Sequence, residues 1–249
     1  MRVVIISQAR MTSTRLPGKV LREVLGKPLL EYQIERLRQA KLADELVIAT
    51  TTNDTDQPIV ELCEHLGVAY YRGSEEDVLS RYYEAATNFR ADVVVRVTSD
   101  CPLIDPGIVD EAIGLYIDNR DKYDYVSNTL QRTYPRGLDA EVFSIKALEK
   151  AYKEAREKPE REHVTPYVYR RPELFRLANH SGAVDYSQHR WTVDTPEDFE
   201  LIRLILQELH PVNNRFTWLD VLDLLSKHPE WVEINAEVKQ KEVKSGVRR

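Results

Sequence analysis

Four short apolar runs constrain this chain more than anything else in it: "VVIIS" (3–7), "ELVIAT" (45–50), "VAYY" (68–71) and "DVVVRVTS" (92–99). Each is short and nearly unbroken in hydrophobicity, the pattern of a strand buried on both faces. Amphipathic stretches lie between them. Residues 28–40 place Leu29, Leu30, Ile34 and Leu37 on one stripe, and 56–66 do the same with Ile59, Val60, Cys63 and Leu66. Residues 76–90 and 107–118 repeat the spacing. Buried strands alternating with such helices predict an α/β fold, a mostly parallel sheet with helices on both faces.

After Asn119 the pattern changes. "YDYVSNT" (123–129), "GLDAEVFS" (137–144), "ELFRLANH" (173–180) and "HRWTVD" (189–194) read as further strands. "IKALEKAYKEAREKP" (145–159) reads as a helix ended by Pro159, and "EREHVTPYVYRRP" (160–172) as a short helix or turn. This middle section is expected to cover the open edge of the sheet. A helix follows in "DTPEDFELIRLILQEL" (194–209), with Thr195 as N-cap, Pro196 in its first turn and Asp198 completing a capping-box-like start. "TWLDVLDLLSKHPEW" (217–231) is the last helix, and "AEVKQKEVKSGVRR" is a polar tail expected to fray. The chain reads as one domain over 1–249, with 120–192 as an inserted lobe for substrate binding or dimerisation and 233–249 as the polar end.

The net charge of −6 argues against general nucleic-acid binding, which needs a basic face. No run reaches the roughly 20 apolar residues of a membrane helix. The N-terminus passes directly into "RVVIIS", with no signal-peptide core. Two cysteines, Cys63 and Cys101, lack any CxxC or zinc-ligand spacing. The expectation is a cytoplasmic protein with two ordinary thiols.

Against this acidic background, "SQARMTSTRLPGKVL" (7–21) stands out. It sets Arg10, Arg15 and Lys19 among small residues straight after the first strand. Ligands of open α/β sheets bind beyond the carboxyl ends of the strands. There, Ser13 and Gly18 permit close backbone approach, and three cations can seat a polyphosphate. The loop is not a Walker motif, and a solvated basic loop is the competing reading.

Three further stretches bear on chemistry. Asp100 in "VTSDCPLIDP" (97–106) follows a strand at the same edge and can hold Mg²⁺ or merely shape the turn before Pro102. Asp105 is the N-cap ahead of Pro106. Asp194 in "RWTVDTPEDFE" is a turn residue or a second metal ligand. In "RGSEEDVLSRYYEAA" (72–86), Arg72, Ser74 and Arg81 can meet a base or phosphate, although Ser74 also suits an N-cap and Tyr82 and Tyr83 suit packing. "RTYPRGLDAEVF" and "EREHVTPY" gather Arg136, Asp139, Glu141, Glu162 and His163, groups suited to a hydroxylated acidic ligand or to solvated surface.

These residues resemble a known family. "ARMTSTRLPGKVL…GKPLLEYQIERL" together with "VDTPEDFE" is similar to the signatures of sugar-acid cytidylyltransferases, among them the 3-deoxy-manno-octulosonate and acylneuraminate enzymes. "SDCPLIDP", "SNTLQRTYPRGLDAEVF" and "EREHVTPYVYR" resemble most the branch named for spore-coat polysaccharide biosynthesis protein F. The likeness covers roughly residues 1–208.

The resemblance implies a nucleotide-diphosphosugar transferase fold, a Rossmann-like three-layer α/β/α sandwich with a mixed sheet. It implies transfer of CMP from CTP to a sugar acid of nonulosonic or octulosonic type, with release of pyrophosphate, for surface polysaccharide synthesis. By the match, Arg10, Ser13, Arg15 and Lys19 hold the CTP phosphates. Arg72, Ser80 and Arg81 occupy the stretch that meets cytosine and ribose, and Asp100 and Asp194 hold Mg²⁺. Lys19, Arg15 and Asp100 would carry catalysis, Arg136, Asp139, Glu141, Glu162 and His163 would meet the acceptor, and a homodimer is the expected assembly. Where octulosonate enzymes read "QGDEP" this chain reads "TSDCP". The alternatives are a transferase using another nucleotide and a sugar phosphate, a glycosyltransferase of similar fold, and a non-catalytic nucleotide binder.

Overall fold

In the computed structural model, which describes residues 1–240, the first apolar run becomes β1 (Val3–Gln8) at the heart of the sheet. A small hairpin of β2 (Glu23–Val24) and β3 (Lys27–Pro28) leads into α1 (Leu29–Leu37). There follow β4 (Glu45–Thr51), α2 (Gln57–Leu66), β5 (Ala69–Gly73), α3 (Val78–Asn88), β6 (Val93–Thr98) and α4 (Pro106–Asp118). The middle section supplies β7 (Tyr125–Ser127), β8 (Glu141–Ser144), α5 (Ile145–Glu154), α6 (Lys158–His163), α7 (Pro166–Tyr169) and β9 (Leu177–Asn179). The chain closes with α8 (Pro196–Leu209), α9 (Trp218–Lys227) and α10 (Pro229–Val232).

The seven-stranded sheet runs β5-β4-β1-β6-β8-β7-β9. β5, β4, β1 and β6 are mutually parallel, β8 is antiparallel to β6 and β7, and β7 is parallel to β9. Alternation along β1 sorts the core. Val3 and Ile5 pack with α1, α2 and α4, including Ile34, Ile59 and Ile113. Val4 and Ile6 pack with α3, α5 and α7, including Tyr82, Leu148 and Val168. A third cluster joins α8 and α9 to Leu16, Leu29 and Trp191. The result is the expected three-layer α/β/α arrangement. From β1 the chain steps outward to β4 and β5, then returns to β6 on the other side of β1. That reversal opens a crevice beyond the ends of β1 and β6.

Several elements differ from the sequence reading. Pro159 does not end a helix. α5 stops at Glu154, and Pro159 sits in the first turn of α6, where its missing N–H costs nothing. The residue capping α3 is Asp77, which accepts from the Ser80 N–H, and Ser74 instead accepts from the Asp77 N–H. Asp105 and Thr195 are N-caps as expected, the latter within a full capping box with Asp198. The strands of the middle section are only three or four residues long. "HRWTVD" pairs with loops rather than with a strand: the Trp191 N–H donates to Arg136 O at 2.7 Å and the Val193 N–H to Asp100 O at 2.7 Å. Gly137 makes that crossing possible, since at φ +106° a Cβ would lie 2.7 Å from the Trp191 carbonyl.

Within the expected polar end, which the sequence reading has fray, Asn235 is instead buried and bonded to Arg190 and Asp198. Residues 241–249 lie outside the described residues. Among those described, no helix is long and apolar enough to cross a membrane.

Candidate active site

The loop after β1 is folded around Met11. Its N–H donates to Asp56 Oδ1 at 2.7 Å, and its carbonyl accepts from the Ser13 and Gly18 N–H groups at 2.9 Å each. Asp56 is buried and also accepts from the hydroxyls of Thr50 and Thr51 at the end of β4. Gly18, at φ +66°, turns the chain back. The loop thereby brings Arg10, Ser13, Arg15 and Lys19 to one cavity of about 670 Å³ beyond the ends of β1 and β6.

Asp100 and Asp194 line the same cavity and converge on a single cation. Lys19 Nζ lies 2.8 Å from Asp100 Oδ2 and 2.8 Å from Asp194 Oδ1. Arg15 reaches Asp194 Oδ2 at 2.7 Å. Burial opposes the charge on Lys19, but the two carboxylates outweigh it and raise its pKa. Burial likewise opposes the charge on Asp100. Lys19, the Thr98 hydroxyl at 2.6 Å and the Cys101 thiol nevertheless bring its pKa down to about 2. Two carboxylate oxygens facing one cation fit a small hard divalent ion. Among the described residues no third His, Cys, Asp or Glu joins them. Magnesium suits such a pair, because it commonly takes one or two protein carboxylates and completes its shell with phosphate oxygens and water.

The far wall comes from the middle section, where two of the expected ligand groups, Asp139 and Glu141, line the cavity already paired with cations. Asp139 is engaged bidentately by Arg132, at 2.5 and 2.7 Å. Glu141 is buried, paired with Arg96 and bonded to the Tyr125 hydroxyl at 2.6 Å. Both carboxylates therefore neutralise cations of the wall. Arg136 differs: among the described residues no carboxylate pairs with its guanidinium. Burial and its neighbours Arg132 and Arg190 lower its pKa. Glu162 and His163, at the end of α6, complete this side. Burial, reinforced by Arg96, Arg170 and Arg10, lowers the pKa of His163 and favours the neutral ring.

Of the three residues expected near a base, only Arg81 reaches the cavity. It is almost wholly buried, donates to Ser74 O at 3.0 Å, and leaves its Nε without a hydrogen-bond partner among the described residues. Arg72 instead closes the β4–β5 edge, donating to the carbonyls of Thr51 and Asn53. Ser80 faces Glu84 on its own helix at 2.7 Å. Tyr82 and Tyr83 pack, Tyr82 in the core and Tyr83 stacked on Tyr152.

A family model described as cytidylyltransferase matches residues 3–217. The chain belongs to the cytidylyltransferase family. A relative in Methanocaldococcus jannaschii, itself uncharacterized, is 40% identical over 97% of each chain. The spore coat polysaccharide biosynthesis protein of Bacillus subtilis is 36% identical over 83% of this chain and 87% of its own. The structure of a cytidylyltransferase from Leptospira borgpetersenii superposes with a TM-score of 0.90 at 34% identity, over 97% of this chain and 99% of that one. A CMP:2-keto-3-deoxy-manno-octonic acid synthetase shares the fold, with a TM-score of 0.65 at 21% identity over 84% of this chain and all of its own.

Four contributors to this family member's cavity escaped sequence reasoning: Thr98, Arg96, Arg132 and, behind the wall, Arg190. Arg96 had left a trace, a lone charge inside "VVVRV", a run otherwise buried on both faces. Arg190 stands four residues before Asp194 and eight before Asp198, and it bonds both. The other two carry no such mark.

Proposed function

We propose that the protein transfers CMP from CTP to the anomeric hydroxyl of a sugar acid, of nonulosonic or octulosonic type, and releases pyrophosphate. The observation that carries this reading is the placement of Lys19 at 2.8 Å from both Asp100 and Asp194. The Lys19 ammonium, a second cation in Arg15 and two convergent carboxylates form a seat for a triphosphate with its counter-ion. The relative's role in spore coat polysaccharide biosynthesis and the CTP held by the octonic acid synthetase support the choice of substrates.

In this reaction the hydroxyl oxygen bonds to the α-phosphorus and the bond to the bridging oxygen of the β-phosphate breaks. Its electrons leave with pyrophosphate, and the hydroxyl proton passes to solvent. The chain contributes mainly position and charge. Arg10, Arg15 and Lys19 neutralise the phosphates and the departing pyrophosphate. Arg81 lies on the same side, with an unpartnered donor for the nucleotide. Arg136, whose guanidinium forms no ion pair among the described residues, holds the acceptor's acid group bidentately. His163, neutral, contacts a sugar hydroxyl without serving as a base. Asp100 and Asp194 would hold Mg²⁺, which supplies charge neutralisation at phosphate and acidifies a bound hydroxyl.

The test is pyrophosphate release in the presence of Mg²⁺, with CTP, UTP, GTP and ATP each offered against nonulosonic acids, octulosonic acids and sugar phosphates. Turnover with CTP and one acid class is expected. Turnover only with a sugar phosphate would transfer Arg136 to phosphate recognition and overturn the sugar-acid assignment.

A further inference from the structure

Two of the three cations assigned to the triphosphate, Arg15 and Lys19, are in this structure paired with Asp194. Arg15 holds its Oδ2 at 2.7 Å and Lys19 its Oδ1 at 2.8 Å. If they turn to phosphate, the carboxylate loses two of its three cations. The third is of another kind. Arg190 Nη2 reaches Asp194 Oδ2 at 2.9 Å from behind the cavity wall. Its Nε donates to Asp198 Oδ1 at 2.8 Å and its Nη2 to Asp198 Oδ2 at 3.0 Å. Asp198 is fully buried, and it also accepts from the Asp194 and Thr195 N–H groups at the start of α8. The side chain of Arg190 is only 9% exposed, against 26% for Arg15. It lines no part of the cavity, so phosphate does not compete for it.

The last described stretch of the chain locks this arrangement. Asn235 Nδ2 donates to Arg190 O and to Asp198 Oδ1, each at 2.9 Å, and Gln240 Oε1 accepts from Arg190 Nη1 at 2.6 Å. Both residues lie beyond the segment, ending at 217, that the family model matches.

We infer that Arg190, held by Asp198 and Asn235, is a positioning residue that keeps Asp194 aimed into the cavity while Lys19 and Arg15 pass from that carboxylate to the phosphates. This rests on the function proposed above. It makes the chain beyond residue 217 part of the site. A lysine in place of Arg190 can still neutralise Asp198, but it lacks the planar fork that spans two carboxylates.

The experiment is calorimetric binding of inorganic tripolyphosphate, and of CTP, to the full chain with and without Mg²⁺. It compares wild type, R190K and N235A, with melting temperatures recorded for each. For R190K, metal-free binding should stay within about twofold of wild type, while the strengthening conferred by Mg²⁺ falls by about 10- to 100-fold, as when an outer partner of a metal ligand is lost. N235A should show a smaller loss of the same kind. Undiminished strengthening in a folded R190K, or equal weakening with and without metal, overturns the inference. Should R190K fail to fold, N235A decides by the same comparison. Tripolyphosphate binding that follows this pattern without any binding of CTP rejects the nucleotide assignment and keeps Arg190's role. A wild type that binds neither rejects both.

Discussion

Lys19 and Asp100 stand 81 positions apart in the chain and meet at 2.8 Å. Their contact joins the loop after β1 to the loop after β6, the two strand ends that border the sheet's reversal point. Replacing Lys19 by Met should therefore do two separable things. The rate of pyrophosphate release should fall by about 10²- to 10³-fold, the usual effect of deleting one preorganised donor from a transition state. Mn²⁺ alone, followed by electron paramagnetic resonance, should bind more tightly, because Asp100 and Asp194 lose the ammonium that screens them. Weaker Mn²⁺ binding in K19M would argue that the carboxylates do not form the metal seat.

Among the described residues Arg15 makes one ion pair, to Asp194, and it is a quarter exposed. Its replacement by Ala should leave the fold intact and raise the KM for the nucleotide about tenfold, the scale of one charge-assisted hydrogen bond. The acceptor's KM should hardly change. Steady-state kinetics with each substrate varied in turn separates the two, and an unchanged nucleotide KM removes Arg15 from the phosphate seat.

His163 should leave a mark on the pH dependence of stability. Its pKa is held below the ordinary 6.5 in the folded chain, first by burial and then by Arg96, Arg170 and Arg10. As pH falls below 6.5 the unfolded chain takes up the proton before the folded one does. Stability therefore declines from that point and levels off once the folded ring also protonates. Denaturant unfolding across this range should show a shallower decline in H163Q than in wild type; His189 and His210, also lowered by burial, supply what remains in both. A bound polyphosphate should raise the ring's pKa, visible by NMR titration, because anionic charge favours imidazolium.

Gly137 admits the backbone of Trp191 so closely that even a methyl group collides. G137A should lower the melting temperature, with a cost of about 1–3 kcal/mol for the strained conformation alone. It should also weaken acceptor binding more than nucleotide binding, since Arg136 is the adjoining residue. A melting temperature equal to wild type would show that the crossing is looser than the contact implies.

The parallel half of the fold was legible because β1, β4 and β6 are buried on both faces, and only an almost unbroken apolar run satisfies that. β7, β8 and β9 are shorter than the runs that suggest them: beyond their ends the flanks keep only scattered bonds, such as Asp124 N–H to Arg176 O and Asn128 N–H to Ala140 O, and no continuous ladder. The candidate cavity was legible wherever its lining gathered within one stretch, as with Arg10, Arg15 and Lys19. Across stretches it was not. Asp139 and Glu141 read as ligand groups. Their pairing with Arg132, seven residues before Asp139, and with Arg96, on β6, emerges only in the folded chain. Pro159 misled for a related reason, since a proline marks the end of one helix and the first turn of the next with equal ease.

The middle section joins the parallel half through the pairing of β8 with β6, over Val93–Arg96 and Glu141–Ser144. The cations of the first loop thus belong to one stretch of chain, and Arg132, Arg136 and His163 to another. Under the proposed function, donor and acceptor recognition would in that sense be separately heritable. Exchanging residues 128–140 and 158–170 between relatives should move the choice of acceptor with them and leave the choice of nucleotide behind, so that one polyphosphate seat could serve many different sugars.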